Sequence, residues 1–350
     1  MQRVKRVNAN ISPILDDVDV AYSLFSDRDY VGGIVKPVFD KSFKELFNIF
    51  DIYGDINYLD KVAFDKKSYV GIGTVPNNNL ILCFSGGKDS IASALKYKEM
   101  GYNIYLYYMK HVNQSLGDEW KCAIECADEL KLPLYFDEIS LIGHHCWMEH
   151  PMKNMLIANG ALSYGIRNHI GTHIAFGNYK TSELWENAFD RCAGDCVDMW
   201  EAYEDIVSRI IPNFKIDINL ENMGETLDIV CDKPNILNRS VSCLCRHSLR
   251  QYRHDWVLNK FGVDLPQHRC GSCYKCAVEY IYMADHRLIE FNEDYYKYCV
   301  GQLSKVMTAE EVPFGSAVTV WRSYEFYDIK QSLIYQDLVS AKVVNGRIKW

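Results

Sequence analysis

The chain has 350 residues, 48% of them apolar and 24% charged, with a net charge of −8, which describes an ordinary globular protein of two modest domains or one domain with additions. The acidic balance argues against broad electrostatic binding to nucleic acid, and no apolar run approaches the ~18 residues of a membrane span. The charged N-terminus has no apolar core behind it, so a cytoplasmic, reducing location is expected, where clustering among the thirteen cysteines suggests metal rather than disulfides.

Residues 1–77 form an N-terminal extension. Phe43, Leu46, Phe47 and Phe50 share one face of a helix over Ser42–Phe50, and Val70–Val75 reads as a strand. An added layer packed on the following domain is the preferred reading, with a partner-docking module as the alternative. Pro76 to Asn79 is a turn and a boundary.

Residues 78–233 alternate strand and helix. Leu80–Phe84 is too short for a helix and right for a buried strand. Ser85-Gly86-Gly87-Lys88-Asp89-Ser90 follows, then a helix over Ile91–Met100 that Asp89 or Ser90 can cap. A strand, a glycine turn and a helix N-terminus make an anion site. Glycines let the backbone approach phosphate oxygens, the helix dipole favours negative charge, and Lys88 adds a full positive charge. The Walker A spacing is absent. Further strands are predicted at Asn103–Met109, Leu134–Ile139 and His173–Phe176, and helices at Glu119–Leu130, Lys153–Ile170, Val197–Ile211 and Thr226–Cys231. Pro212 closes the third of these helices and Pro234 stops the last. This order implies an α/β fold, a parallel sheet with helices on both faces and ligands at the carboxyl ends of its strands. The glycine turn, Tyr108 to His111 and Gly177-Asn178 all fall at such ends.

Residues 234–280 hold Cys270-Gly-Ser-Cys273-Tyr-Lys-Cys276, with Ser242-Cys243-Leu-Cys245 upstream. Three thiolates on one tight knuckle plus one from a distant segment satisfy tetrahedral zinc. The fourth ligand is Cys243 or Cys245, with His247 and His268 as lower-ranked substitutes. Four thiolates leave no open coordination position, so the site reads as structural; a [4Fe–4S] cluster is the other thiolate option. Cys192 and Cys196 lack the third cysteine of a radical motif, Cys122 and Cys126 share a helix face as core, and His144, His145 and His150 cluster in a loop, where a metal-free substrate edge is preferred over metal ligands or proton carriers. Residues 281–350 are rich in tyrosine and tryptophan and end in a hairpin, Ala341–Trp350, turning at Asn345-Gly346.

Ser85–Ser90 resembles the PP-loop of the ATP pyrophosphatase superfamily, whose fold is that of the adenine nucleotide alpha-hydrolases. Together with the downstream cysteine knuckle, the chain resembles the 7-cyano-7-deazaguanine synthase family over roughly residues 78–280. Pro151-Met-Lys153-Asn154, the strand end at Gly177, and Asp195-Cys196 before a helix match that family's motifs, and its Ser-Cys step favours Cys243 as fourth zinc ligand. Lys153 stands where the family has arginine, which keeps charge but loses bidentate geometry, and Thr226 where it has lysine.

The resemblance implies ATP, Mg²⁺ and Zn²⁺ as cofactors and a carboxylated deazapurine plus ammonia as partners. The acceptor carboxylate attacks the α-phosphate, pyrophosphate leaves, ammonia displaces AMP to give an amide, and a second activation yields the nitrile. In this reading Gly86 and Gly87 hold the leaving pyrophosphate, Lys88 neutralises it, and Ser85 and Ser90 bond phosphate oxygens. Asp89 holds Mg²⁺ through water or caps the helix. Tyr108, Met109, Lys110 and Gly177 flank the adenosine, and Lys153, Asn154 and Asp195 face the acceptor or the α-phosphate. Some relatives act in phage DNA modification or antiviral gene clusters, joining the activated deazapurine to another acceptor, including a protein. A tRNA-thiolating or amide-forming enzyme of the same superfamily and a non-catalytic binding module are the other readings. The flanking segments 1–77 and 281–350 are the places for a protein partner, a homodimer is compatible with the reading, and no membrane is involved.

Overall fold

The strand and helix alternation builds one parallel sheet. In the computed structural model the described residues are 4–6, 38–45, 48, 63–66, 77–111, 117–139, 150–179, 197–209, 211–221, 223–241, 243, 247–285, 287–307, 311–313, 342–344 and 347–349. The strands are β1 (Val4–Arg6), β2 (Val38–Asp40), β3 (Ala63–Asp65), β4 (Asn79–Cys83), β5 (Asn103–His111), β6 (Leu134–Ile139), β7 (His173–Tyr179), β8 (Lys215–Glu221), β9 (Glu311–Pro313), β10 (Lys342–Val344) and β11 (Arg347–Lys349). The helices are α1 (Lys88–Glu99), α2 (Gly117–Leu130), α3 (His150–Arg167), α4 (Val197–Ser208), α5 (Met223–Cys231), α6 (Pro234–Arg239), α7 (His247–Phe261), α8 (Tyr274–Asp285) and α9 (Glu293–Met307).

The main sheet runs β1-β6-β5-β4-β7-β8, with every pair parallel. Chain order therefore reverses at β4: β5 and β6 lie on one side, β7 and β8 on the other. Such a reversal opens a crevice at the carboxyl ends of the two central strands, where ligands of doubly wound sheets bind. Alternation along the strands divides the core. Leu80 and Leu82 of β4 and Ile104, Leu106 and Tyr108 of β5 pack with Ile91 and Ala94 of α1, Ala123 and Cys126 of α2, Val230 of α5 and Ile236 of α6. On the opposite face Tyr107 stacks on Tyr164 of α3, and Phe176 of β7 lies against Trp200 of α4.

Several elements differ from expectation. α1 begins at Lys88, three residues early, and neither Asp89 nor Ser90 caps it. Gly87 is the N-cap with extended backbone, and no side chain bonds the first turn. The Ser90 hydroxyl is committed elsewhere, donating to the Gly87 carbonyl at 3.0 Å. β7 continues two residues beyond Gly177 because β8 pairs with it through Tyr179↔Glu221. β8 is a strand beyond those that the sequence predicts. Pro234 does end the preceding segment, but it does so as the opening residue of α6, where its missing N–H costs nothing.

Val4–Arg6, within the N-terminal extension, adds an edge strand beside β6. β2 and β3 pair separately in parallel. Of the helix expected over 42–50, Lys41–Phe43 is a 3-10 turn with Phe43 buried and Lys44, Glu45 and Asn48 are helical; its remaining positions and the strand expected over 70–75 lie outside the described residues. At the C-terminal end β10 and β11 form the antiparallel hairpin, and β9 adds a third strand. The boundary drawn at 280 falls inside α8. α9 packs on that helix, with Tyr280 and Tyr295 in edge contact and Val257, Ile281 and Cys299 in the same cluster.

Candidate anion site and metal centre

The glycine loop sits at the carboxyl end of β4, at the point where strand order reverses. Gly86 has φ +73°, a left-handed conformation that side chains resist. A Cβ there would lie 2.6 Å from the Ala123 nitrogen and 2.8 Å from Ala123 Cα and the Cys122 carbonyl carbon, so the loop lies directly on the backbone of α2. The Gly87 N–H donates to Ser85 Oγ at 3.2 Å. The Ser85 N–H and hydroxyl meet Ser90 Oγ at 3.3 and 3.4 Å. The two hydroxyls thus hold the loop in a tight ring around the start of α1. By helix geometry the first-turn N–H groups have no acceptor within the helix, and the dipole makes that end positive. Ser85 is exposed and Ser90 buried.

Lys88 is buried, 1% exposed, and its Nζ sits 2.7 Å from Asp89 Oδ1. Its charge therefore acts on the loop as half of an ion pair rather than as a free ammonium. The Asp89 side chain is partly exposed at 23%, as a carboxylate binding a hydrated cation must be. Gly177 also has a packing reason to be glycine: a Cβ would lie 2.6 Å from the Asp89 carbonyl oxygen and 2.7 Å from Ser93 Oγ. α1 rests against the end of β7 at that point, which brings the two strand ends together.

Tyr108 is buried beneath Trp120, ring centroids 5.1 Å apart, and burial, followed by Glu119, pushes its hydroxyl pKa well up, so the phenol stays protonated. Its side chain belongs to the core between β5 and α2. Met109 points to the other face, half-buried beside Gly160. Lys110 lies over the Trp120 ring at 5.6 Å. Lys153 and Asn154 fall in the first turns of α3, with Asn154 half-buried. Asp195, Cys192, Cys196, His144 and His145 lie outside the described residues.

The sulfurs of Cys243, Cys270, Cys273 and Cys276 all lie within 4.8 Å of one another. Zinc bound tetrahedrally at about 2.3 Å per sulfur needs sulfurs about 3.8 Å apart. Cys270 and Cys276 Sγ are 3.9 Å apart. The Ser272 N–H and hydroxyl reach Cys270 Sγ at 3.4 and 3.7 Å, bonds that favour a thiolate. Hydrogen bonds from Cys243, then Cys273 and Cys276, hold the Cys270 thiol far below its ordinary range. The bond to Cys270 opposes, and those to Cys273 and Cys276 produce, a fall in Cys243 to about 7. Cys273 and Cys276 are pushed up, chiefly by their bonds to Cys243. The donor set fits a metal ion such as zinc. Gly271 turns the knuckle at φ +67°, and its carbonyl accepts the Tyr295 hydroxyl at 2.6 Å, so α9 buttresses the turn. Cys245 lies outside the described residues.

Sequence reasoning missed the link between the two sites. Arg269, fully buried, precedes Cys270 and bonds Glu279 Oε2 at 3.0 Å, the Leu237 carbonyl at 3.0 Å, the Ser240 carbonyl at 2.8 Å and Ser240 Oγ at 3.1 Å. The next residue, Val241, donates its N–H to the Gly86 carbonyl at 3.1 Å and bridges Gly87 in parallel. A charged residue beside a knuckle cysteine was the only signal available.

No family model matches the sequence, and no curated protein matches it. Among solved structures, a predicted subunit of tRNA methyltransferase from Methanocaldococcus jannaschii is similar at 20% identity over 43% of this chain and 72% of that one, with a TM-score of 0.26. A likeness that slight does not bear on activity. No helix among the described residues is long and apolar enough to cross a membrane.

Proposed function

We propose that the chain is an ATP pyrophosphatase of the PP-loop type that adenylates a carboxylate on a 7-deazapurine and passes it to ammonia. The observation that carries the reading is the Ser85–Ser90 loop, seated at the reversal of strand order and feeding the N-terminus of α1. Chemistry of this kind needs no enzyme nucleophile. It needs a cradle for the leaving pyrophosphate and a fixed approach for the carboxylate.

In this reading the N–H groups at the start of α1 and of Gly87 hold the β- and γ-phosphate oxygens. The Ser85 hydroxyl, exposed at the loop mouth, turns from Gly87 to a phosphate oxygen. The Lys88–Asp89 pair balances charge as pyrophosphate forms, Asp89 being the residue that would hold hydrated Mg²⁺, which supplies charge neutralisation at the phosphates. Lys153, Asn154 and Asp195 belong to the acceptor side. Cys243, Cys270, Cys273 and Cys276 would hold zinc as a cross-link with no open position, outside the chemistry. The test is incubation of metal-loaded protein with ATP, Mg²⁺ and ammonium, with and without 7-carboxy-7-deazaguanine, followed by mass spectrometry. Deazapurine-dependent release of pyrophosphate with a nitrile product is expected. An amide or adenylate end product shifts the acceptor to another molecule, and no release under any condition sinks the deazapurine assignment.

A further inference from the structure

The two sites described above share one backbone connection, and its geometry says what it does. A trans peptide points its carbonyl and its N–H in opposite directions. The Gly86 carbonyl is held by the Val241 N–H at 3.1 Å. The N–H of the same peptide unit, that of Gly87, therefore points away from Val241, toward Ser85 Oγ on the loop's exposed side. Two glycines in sequence have no side chains to fix that plane, and either could turn it over. The bond from Val241 fixes its carbonyl side, and Ser85 Oγ receives its N–H on the other.

Val241 is itself fixed. Ser240, fully buried, ends α6 with its N–H on the Ile236 and Leu237 carbonyls and its hydroxyl on Leu237. Arg269 clasps both the carbonyl and the hydroxyl of Ser240 and is paired in turn with Glu279, buried on α8. Cys243 lies two residues beyond Val241, and Cys270 is the residue after Arg269. The sulfur cluster thus closes a loop around the same strut: one ligand on the Val241 side, three on the Arg269 side.

We infer that Val241 and Arg269 are positioning residues for the anion loop: the strut Arg269–Ser240–Val241 aims the Gly87 N–H at the bound anion, and metal at the four cysteines holds the strut in place. The inference rests on the reading that the glycine loop binds phosphate, but its structural half is testable without any nucleotide. Removing metal is expected to free the Gly86–Gly87 peptide, to which the cysteines are tied through Val241 and the Arg269–Ser240 bonds.

The experiment is hydrogen–deuterium exchange on the full metal-loaded chain, read at peptides covering 84–91, with peptides from β5 as an internal reference. Val241→Pro deletes the N–H, and Val241→Ala keeps it. Exchange of the loop is expected to rise about tenfold in Val241→Pro, equivalent to one lost hydrogen bond of about 1.4 kcal/mol, and to stay at the parent rate in Val241→Ala. Metal content, read by atomic emission, stays at the parent level in both. Chelation is expected to raise loop exchange while β5 stays protected. Arg269→Lys, which keeps the charge but loses the fork, is expected to fall between parent and Val241→Pro. If Val241→Pro does not fold by circular dichroism, the chelation and Arg269→Lys arms decide. Loop exchange unchanged by chelation, or equal in the proline and alanine variants, overturns the strut. In turnover, Val241→Pro is expected to raise the KM for ATP and lower kcat by about 10²–10³, whereas Val241→Ala retains both. Loop exchange that responds as expected in a protein that neither binds nor cleaves ATP leaves the strut standing and removes the proposed function instead.

Discussion

Gly86→Ala tests whether the glycine loop is seated as described. Alanine at φ +73° costs about 1–2 kcal/mol for the left-handed backbone alone. Its Cβ would also stand 2.6 Å from the Ala123 nitrogen. Ordinary contact is about 3.5–4.0 Å, so the loop or α2 must give by roughly an ångström. The neighbours are helix backbone atoms, which cannot rotate aside, and over-packing of this kind costs about 1–3 kcal/mol. The two effects together predict a loss of about 2–5 kcal/mol, a large part of the ~5–15 kcal/mol a domain possesses. Urea unfolding of the metal-loaded protein, followed by circular dichroism, measures it. Gly87→Ala is the control: its nearest neighbour is the Ser85 hydroxyl at 3.2 Å, which can turn, so about 1 kcal/mol or less is expected. A Gly86→Ala protein within about 0.5 kcal/mol of the parent would refute the packing of the loop on α2.

Lys88→Met keeps the buried volume and removes the charge; pyrophosphate release is expected to fall about 10²–10³, with a melting temperature close to the parent's. Unfolding without any specific kinetic defect would make the Lys88–Asp89 pair purely structural. Cys276→Ser is expected to abolish metal retention as measured by atomic emission, and metal content equal to the parent's would remove this cysteine from the ligand set. Against the raising effect of burial, hydrogen bonds from His173 and then Lys215 hold the Asp217 carboxyl below its usual range. Because the folded value is the lower one, this contribution is complete above the unfolded value of about 3.9 and is lost as pH falls through the folded value. Asp217→Asn is therefore expected to cost about 1–2 kcal/mol at pH 7, with the difference closing as pH falls through the folded value; a pH-independent difference would contradict the assignment. Burial pushes the thiols of Cys126 and Cys299 up to about 12, so both are expected to resist alkylation at pH 8 in the folded protein, and rapid labelling of either would contradict that burial.

The chemistry-bearing pattern was legible where it was local. The loop needs Gly86 because α2 and a left-handed turn demand it, and a strand, two glycines and a helix within a dozen residues announce such a loop. The knuckle was legible for the same reason: three cysteines on one turn are a short-range signal. β8 carries a readable alternation, Ile216, Ile218 and Leu220 against Lys215, Asp217 and Asn219, but it directly follows the Pro212 turn, which masks so short a signal. β1 could not have been found, since three residues gain their strand character only from the edge of β6. The sequence places Gly177 at a strand end but does not show its packing role, which depends on α1 meeting it at Asp89 and Ser93, far earlier in the chain. Likewise, nothing near Arg269 in sequence says that its partners are Ser240 and Glu279, or that the chain it holds reaches Gly86. Long-range packing decides such contacts, and periodicity cannot show them.

The products of ATP address the central claim most directly. Chromatography of the nucleotides after incubation with Mg²⁺, ammonium and 7-carboxy-7-deazaguanine is expected to show AMP and pyrophosphate accumulating together, and neither without the deazapurine. ADP and orthophosphate, or intact ATP in the presence of fully metal-loaded protein, would contradict the assignment of the Ser85–Ser90 loop to cleavage between the α- and β-phosphates.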